Sequence, residues 1–490
     1  MKKKLLTIMT LLFLGIAAFG QWSTDSVNTA GIFKYAAANG NYAVFSNGGE
    51  WNTFHATTGV HQFGNFAISR QMIEVVSLGD KVMFAGGKYG SFADPLYTKQ
   101  VNVFNSTTNT WSTWNMGTAR EVGGAAGTGN KVVFAGGTGR SDIAGPVYMY
   151  NKVDIFDINT GARSSGKLSK ARTNIAAGAA GNKVVFVGGW YWDMMYSTVY
   201  SNKADIYDVS TGLWTSTTLA KKRDNISVAV VGDKIIFAGG TNNTGNLNTV
   251  DIYNATTNTW SSTTMPVAGY GFVSAVIGNE AFFAGNMGGA PEMVYRYNTV
   301  TNTWSSFALP TALSGFSCSV LDGRLIFAGG TIPATYTYSN LVQIFDPITN
   351  TWSTEYLSMA RTSVSALSIG NKGYFAGGLI TYGYPTSVYT RRVDLFAAPF
   401  RMGEKPASDA DWQMLLYPNP ANQYVTIAVN MESALPLIVQ FVDRNGVIVF
   451  SGELYESHTR IDVNMLPSGM YMVRLIDAEQ HQQIGKLIKK

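Results

Sequence analysis

The chain has 490 residues, 46% of them hydrophobic and only 14% charged, with a formal net charge of +5. Charge this sparse, with three of the positive groups at Lys2, Lys3 and Lys4, forms no dense basic stripe and excludes a nucleic-acid partner on electrostatic grounds. A single cysteine, Cys318, excludes an internal disulfide framework, and its alternating apolar surroundings predict a small core residue.

Residues 1–20 combine the lysine start, an apolar run from Leu5 to Phe19, and the small residues Ala18 and Gly20. This pattern predicts a secretory signal and export to the periplasm. The run is about 15 residues, short of the ~20 that span a bilayer, so a membrane anchor is the weaker alternative and no transmembrane segment is expected.

A phrase of the type Phe-Ala-Gly-Gly then recurs, with glycine pairs at Gly86-Gly87, Gly136-Gly137, Gly188-Gly189, Gly239-Gly240, Gly329-Gly330 and Gly377-Gly378. Degenerate copies stand at Gly48-Gly49 and Gly285-Asn286, and the spacing is that of a four-stranded propeller blade. The unit at 226–263 shows why. Two strand-like runs flank the turn Gly232-Asp233, then Val250 to Tyr253 and a strand opened by Trp260 flank an Asn/Thr-rich turn, with no helical period anywhere. Third strands such as Val153-Asp154-Ile155-Phe156 put aliphatic side chains on one face and an aromatic on the other, as stacked blades require. Units begin near residues 30, 69, 118, 169, 221, 266, 309 and 359. The last has three strands, and Gln21-Trp22-Ser23-Thr24 echoes Thr351-Trp352-Ser353-Thr354, so the N-terminal segment is expected to complete it and close the ring. Eight blades are expected, with seven as the alternative because the first unit is degenerate.

These phrases resemble kelch repeats over residues 21–400. Arg163 stands where the third full unit should carry Trp, and Asn286 replaces a glycine of the sixth. The resemblance implies an all-β fold, a kelch-type β-propeller. Residues 401–413 read as a polar linker. From 414 to 490, alternating runs predict a small antiparallel β-sandwich, with Asn445-Gly446 as a two-residue hairpin. Tyr417-Pro418-Asn419-Pro420, the turn at Asp443 to Gly446, the stretch from Leu466 to Tyr471 and the basic end to Lys490 resemble the type A C-terminal sorting domain of the type IX secretion system of Bacteroidetes. That resemblance implies the type IX machinery as a partner and a protein that is secreted or held at the outer-membrane surface.

Alternating strand directions put the long connections on one face. There the aromatic cluster Trp190, Tyr191, Trp192 and Asp193 is the leading candidate for binding a glycan or an extracellular protein, against the bland reading that it covers its own loop. Tyr336, Tyr338, Tyr382 and Tyr384 are weaker candidates. Arg70, Arg120, Arg172, Arg223 and Arg361 recur nine residues before each first-turn glycine, while Gly31, Gly269 and Ser314 replace them elsewhere. Five guanidiniums at the channel mouth would bind carboxylates or sulfate, against the reading that they bond only to neighbouring loops. With four histidines and no paired carboxylates standing out, no catalytic residue, metal or other cofactor is expected, and galactose-oxidase-like copper chemistry is disfavoured. A non-catalytic binding or adhesion module is the first expectation. A mutarotase-like enzyme acting on an acidic sugar, or a surface scaffold, are the alternatives.

Overall fold

Each repeat folds where its turn residues direct it. Val231 pairs with Lys234 across Gly232-Asp233, and Tyr253 pairs with Trp260 across the Asn/Thr turn, which leaves the flanking apolar runs no choice but to zip. The computed structural model describes residues 21–91, 94–140, 145–285, 292–381, 387–397, 414–429, 436–443, 447–477 and 482–490. The expected signal (1–20) and linker (401–413) lie outside the described residues.

Eight antiparallel four-stranded sheets follow one another, at 35–65, 74–115, 124–167, 176–218, 227–264, 273–308, 317–356 and 365–397. They are numbered here as blades 1 to 8. In each, the second strand is buried along almost its whole length, as in Lys234–Ala238, because neighbouring blades cover both of its faces. Successive innermost strands lie side by side, and that of blade 8, Ser365–Ile369, lies beside that of blade 1, Tyr35–Asn39.

The glycine pairs join the blades. The second glycine donates its N–H to the residue that opens the next blade: Gly87 to Arg120 O (2.9 Å), Gly137 to Arg172 O (2.8 Å) and Gly189 to Arg223 O (3.0 Å). Gly378 of blade 8 makes the same bond to Gly31 O of blade 1, at 3.0 Å. Gly136 has φ of 64°, and a Cβ there would lie 2.5 Å from Arg172 O of the next blade, so glycine is what lets the two backbones come together. The closing strand is also in place. Gln21–Ser26 pairs with Arg392–Ala397 as the outer strand of blade 8, and Trp22 packs 4.8 Å from the Phe396 ring.

Arg163, out of pattern in sequence, faces Phe156 across the ladder. The missing ring is supplied by Trp114 of blade 2, which stacks on Phe156 at 5.5 Å, as Trp214 does on Tyr207 within blade 4 at 5.0 Å.

The chain divides into two compact units, Trp22–Ala397 and a C-terminal one. In the latter, one sheet of three strands and one of four enclose a core that includes Val425, Ile427, Phe441, Val473 and Leu475. Asn419 accepts from Ile488 N (2.9 Å), and Ala421 exchanges backbone bonds with Ile488 and Lys490, so the proline motif and the basic C-terminal strand form one structural element. Leu437–Val442 pairs with Ile448–Leu454 as a hairpin, with a register shift after Phe441; Asp443 N donates to Val447 O at 2.9 Å, and the Asp443 carboxylate accepts from Val447 N at 2.9 Å. The expected turn residues Asn445 and Gly446 lie outside the described residues.

Candidate functional site

Each arginine of the repeat sits where one blade passes the chain to the next. The carbonyls of Arg120, Arg172, Arg223 and Arg361 accept from the preceding blade, while Arg70 instead donates its N–H to Gly48 O; each side chain turns into its own blade. Arg120 shows the full set: Nε donates to Gly136 O (2.9 Å), Nη2 to Phe134 O (3.1 Å), and Nη1 to Thr118 O (3.2 Å) and to Asp154 (2.7 Å). Arg172 pairs with Asp205, Arg223 with Asp251 and Arg361 with Asp394, at 2.8, 2.8 and 2.7 Å. In Arg223 and Arg361 the guanidinium is turned so that Nη2 meets the carboxylate, and Nε and Nη1 find no acceptor among the described residues. Arg70 meets Asn102 instead of a carboxylate, at 2.6 Å.

All five side chains are at most 2% exposed. They therefore do not form the anion-binding ring that their spacing suggested. Burial lowers the pKa of Arg120, Arg172, Arg223 and Arg361, and the facing aspartates oppose that shift and keep the guanidiniums charged.

The long connections form a crown of two-stranded hairpins between second and third strands. Those described run from Lys88–Gly90 to Pro95–Tyr97, Thr138–Arg140 to Val147–Met149, Trp190–Trp192 to Thr198–Tyr200, Thr241–Asn242 to Gly245–Asn246, Thr331–Ile332 to Thr337–Tyr338, and Leu379–Thr381 to Val388–Tyr389. Each begins with a bridge to the residue after the arginine position, such as Thr173 with Trp190 and Ser314 with Thr331, so the crown is rooted in the blade junctions and Leu313, not Ser314 as expected, takes the arginine's place in blade 7.

The four aromatic-cluster candidates lie together in the blade 4 hairpin and largely build it. Trp190 and Trp192 meet edge to face at 5.6 Å, and Lys170 Nζ lies 4.2 Å from the centre of the Tyr191 ring. The Asp193 carboxylate accepts from Met195 N (2.8 Å) and Ser197 N (2.9 Å), which caps the turn. Fully presented to solvent instead are Met194 (101% exposed), Met195 (86%) and Tyr196 (76%). Sequence reasoning passed over these three for the tryptophans. The signal was the run Asp193-Met194-Met195-Tyr196 itself, in which an Asx turn throws the next three side chains outward. Tyr336, 85% exposed, tips the blade 7 hairpin and Tyr338 is half-buried, while Tyr382 and Tyr384 lie outside the described residues.

Residues 124–330 match the KLHDC2/KLHL20/DRC7 Kelch-repeats domain, residues 312–355 match the Kelch motif, and residues 415–490 match the secretion system C-terminal sorting domain. The chain carries kelch repeats and an export-sorting domain. No curated protein matched it. The sorting domain indicates export by type IX secretion to the cell surface or beyond. Among the described residues, no helix is long and apolar enough to cross a membrane.

Two reactive side chains of the kelch propeller, His61 and Cys318, are held in packing. His61 stacks on Phe54 at 4.1 Å with Nε2 lying 3.0 Å from Asn52 Oδ1, and burial lowers its pKa. Cys318 packs against the apolar cluster around Phe316 and Phe327, and burial pushes its thiol up to about 12. Among the described residues, no group of three His, Cys, Asp or Glu side chains is placed to hold a metal ion.

Proposed function

We propose that this exported kelch propeller is a non-catalytic binding module that engages an extracellular macromolecule through its hairpin crown. The observation that carries the reading is the blade 4 tip, where Met194, Met195 and Tyr196 stand in solvent on a rigid aromatic base. Exposed apolar side chains of this size have no structural use at a hairpin tip and suit a partner that covers them. Methionine's flexible thioether adapts to a protein surface, which favours a protein partner. A glycan is the second reading, favoured by the half-exposed Trp190, Tyr191 and Trp192. The acidic-sugar enzyme draws no support from the arginines, since four of the five already face carboxylates inside the blades.

Signal-peptide export to the periplasm before the sorting step belongs to the same proposal. A glycan array and a panel of extracellular matrix proteins, probed with the wild-type chain and with a Met194→Ser/Met195→Ser/Tyr196→Ser variant, test the crown. Binding that disappears in the variant at unchanged Tm is the expected result. A wild-type chain that binds neither panel, or a variant that binds as well as wild type, would sink the crown reading.

A further inference from the structure

Blade 2 differs from the other arginine-bearing blades. Arg70 is 2% exposed, yet it faces the neutral amide of Asn102, with Nη2 to Oδ1 at 2.6 Å. Its other acceptors are the carbonyls of Gly86 (2.7 Å), Phe84 (3.2 Å) and Ile68 (3.3 Å). Among the described residues no carboxylate pairs with it, so blade 2 holds a buried positive charge that the other four blades neutralise.

The exchange of aspartate for asparagine has a second effect. In three sister blades the aspartate's other oxygen accepts the backbone N–H three residues before the arginine: Gly117 to Asp154 (2.8 Å), Ser169 to Asp205 (2.9 Å) and Ser358 to Asp394 (3.2 Å). Asn102 offers a donor there, Nδ2, which turns to Thr113 Oγ1 at 3.3 Å. The corresponding Ala67 N–H meets no acceptor among the described residues. An open cleft of about 180 Å³ lies at this point, lined by Trp51, Asn65, Phe66, Ala67, Asn102 and Trp111 among others.

Two N–H donors therefore border one cleft, from Ala67 and Asn102, and an uncompensated cation lies one amide behind them. We propose that the cleft between blades 1 and 2 binds a small carboxylate, whose charge stands in for the aspartate that blade 2 lacks. Ala67 N donates to one carboxylate oxygen, Asn102 Nδ2 swings from Thr113 to donate to the other, and the Arg70 guanidinium balances the charge through Asn102. The volume admits a group of about the size of a uronic acid or an acidic amino acid, well below the ~300 Å³ of drug-sized pockets. This site is independent of the hairpin crown.

The test is a titration of the full chain with glucuronate, N-acetylaspartate and neutral glucose, read by calorimetry and by the fluorescence of the cleft tryptophans. Saturable binding of a carboxylate and none of glucose is expected, and the tighter of the two acids separates a sugar source from a peptide source. Asn102→Asp installs the pair that four sister blades carry, so it should raise Tm and weaken carboxylate binding by about tenfold or more. Ala67→Pro removes the other N–H donor and should also weaken binding, which keeps the test intact if Asn102→Asp fails to fold. No saturable response to either acid, an equal response to glucose, or undiminished binding by the folded variants would overturn the proposal.

Discussion

Asp154, Asp205, Asp251 and Asp394 each face a guanidinium that water does not reach, and blade integrity rests on those pairs. Removing one partner leaves the other charged and buried, so Asp205→Asn is expected to cost about 3–5 kcal/mol in urea unfolding. Replacing both members, as Arg172→Met/Asp205→Leu, should cost less than either single change. A single change no worse than the double would show that the pairing is not what holds the junction. The innermost strand of blade 2 carries a different case. Burial raises the Glu74 carboxyl to about 7, so the folded state holds the proton more tightly than the unfolded chain. The stability tied to that proton is complete below about pH 4.5 and is lost as pH rises through about 7. Glu74→Gln should therefore change little at pH 4 and stabilise by up to about 3 kcal/mol at pH 8, read from unfolding curves at the two pH values. At this scale the arginine spacing and the Val-Asp-Ile-Phe pattern were both legible, but their pairing was not read. The available signal was joint substitution: where Gly269 and Leu313 take the arginine's place, Tyr295 and Gln343 replace aspartate. Gln343 keeps the backbone duty with neutral groups, accepting from Thr311 N at 2.7 Å and donating to Thr311 O at 2.9 Å.

Hairpins are the elements that distinguish one blade from another. The long connections were visible as loops in the sequence, and their aromatic content marked blade 4. Which side chains stay exposed depends on turn register, and the Asp193 cap sets that register. Tyr196 adopts φ of 58°, a left-handed conformation that a bulky residue occupies at a cost of about 1–2 kcal/mol. Tyr196→Gly is accordingly expected to hold or slightly raise Tm while it removes the exposed ring. A Tm several degrees lower would mean that Tyr196 packs rather than presents. Blade 1 replaces the hairpin with the tight Asn47-Gly48-Gly49 turn, so the crown is lopsided.

Closure is a property of the whole ring. Gln21–Ser26 covers the edge of Arg392–Ala397, and Trp22 anchors it against Phe396 and Phe375 while donating Nε1 to Glu355 at 3.1 Å. Trp22→Ala should cost about 3 kcal/mol. Deleting residues 21–26 from a chain that keeps the rest of the propeller should expose an unpaired strand edge and cause concentration-dependent association, seen by light scattering. A monomeric deletion variant with unchanged Tm would show that blade 8 closes without this strand.

The sequence by itself determined the repeat, the closing strand and the sorting domain, while the choice of eight blades over seven came from the sheets themselves. Each of these is written locally, in turn glycines, two-residue alternation and motif order, and local signals survive without knowledge of what lies across the fold. The state of the arginines and the presentation of the blade 4 tip were decided by tertiary structure alone. A guanidinium free to bind anions and one buried against an aspartate about 30 residues away share the same local sequence. Only the register of the ladder and the packing of the next blade separate them.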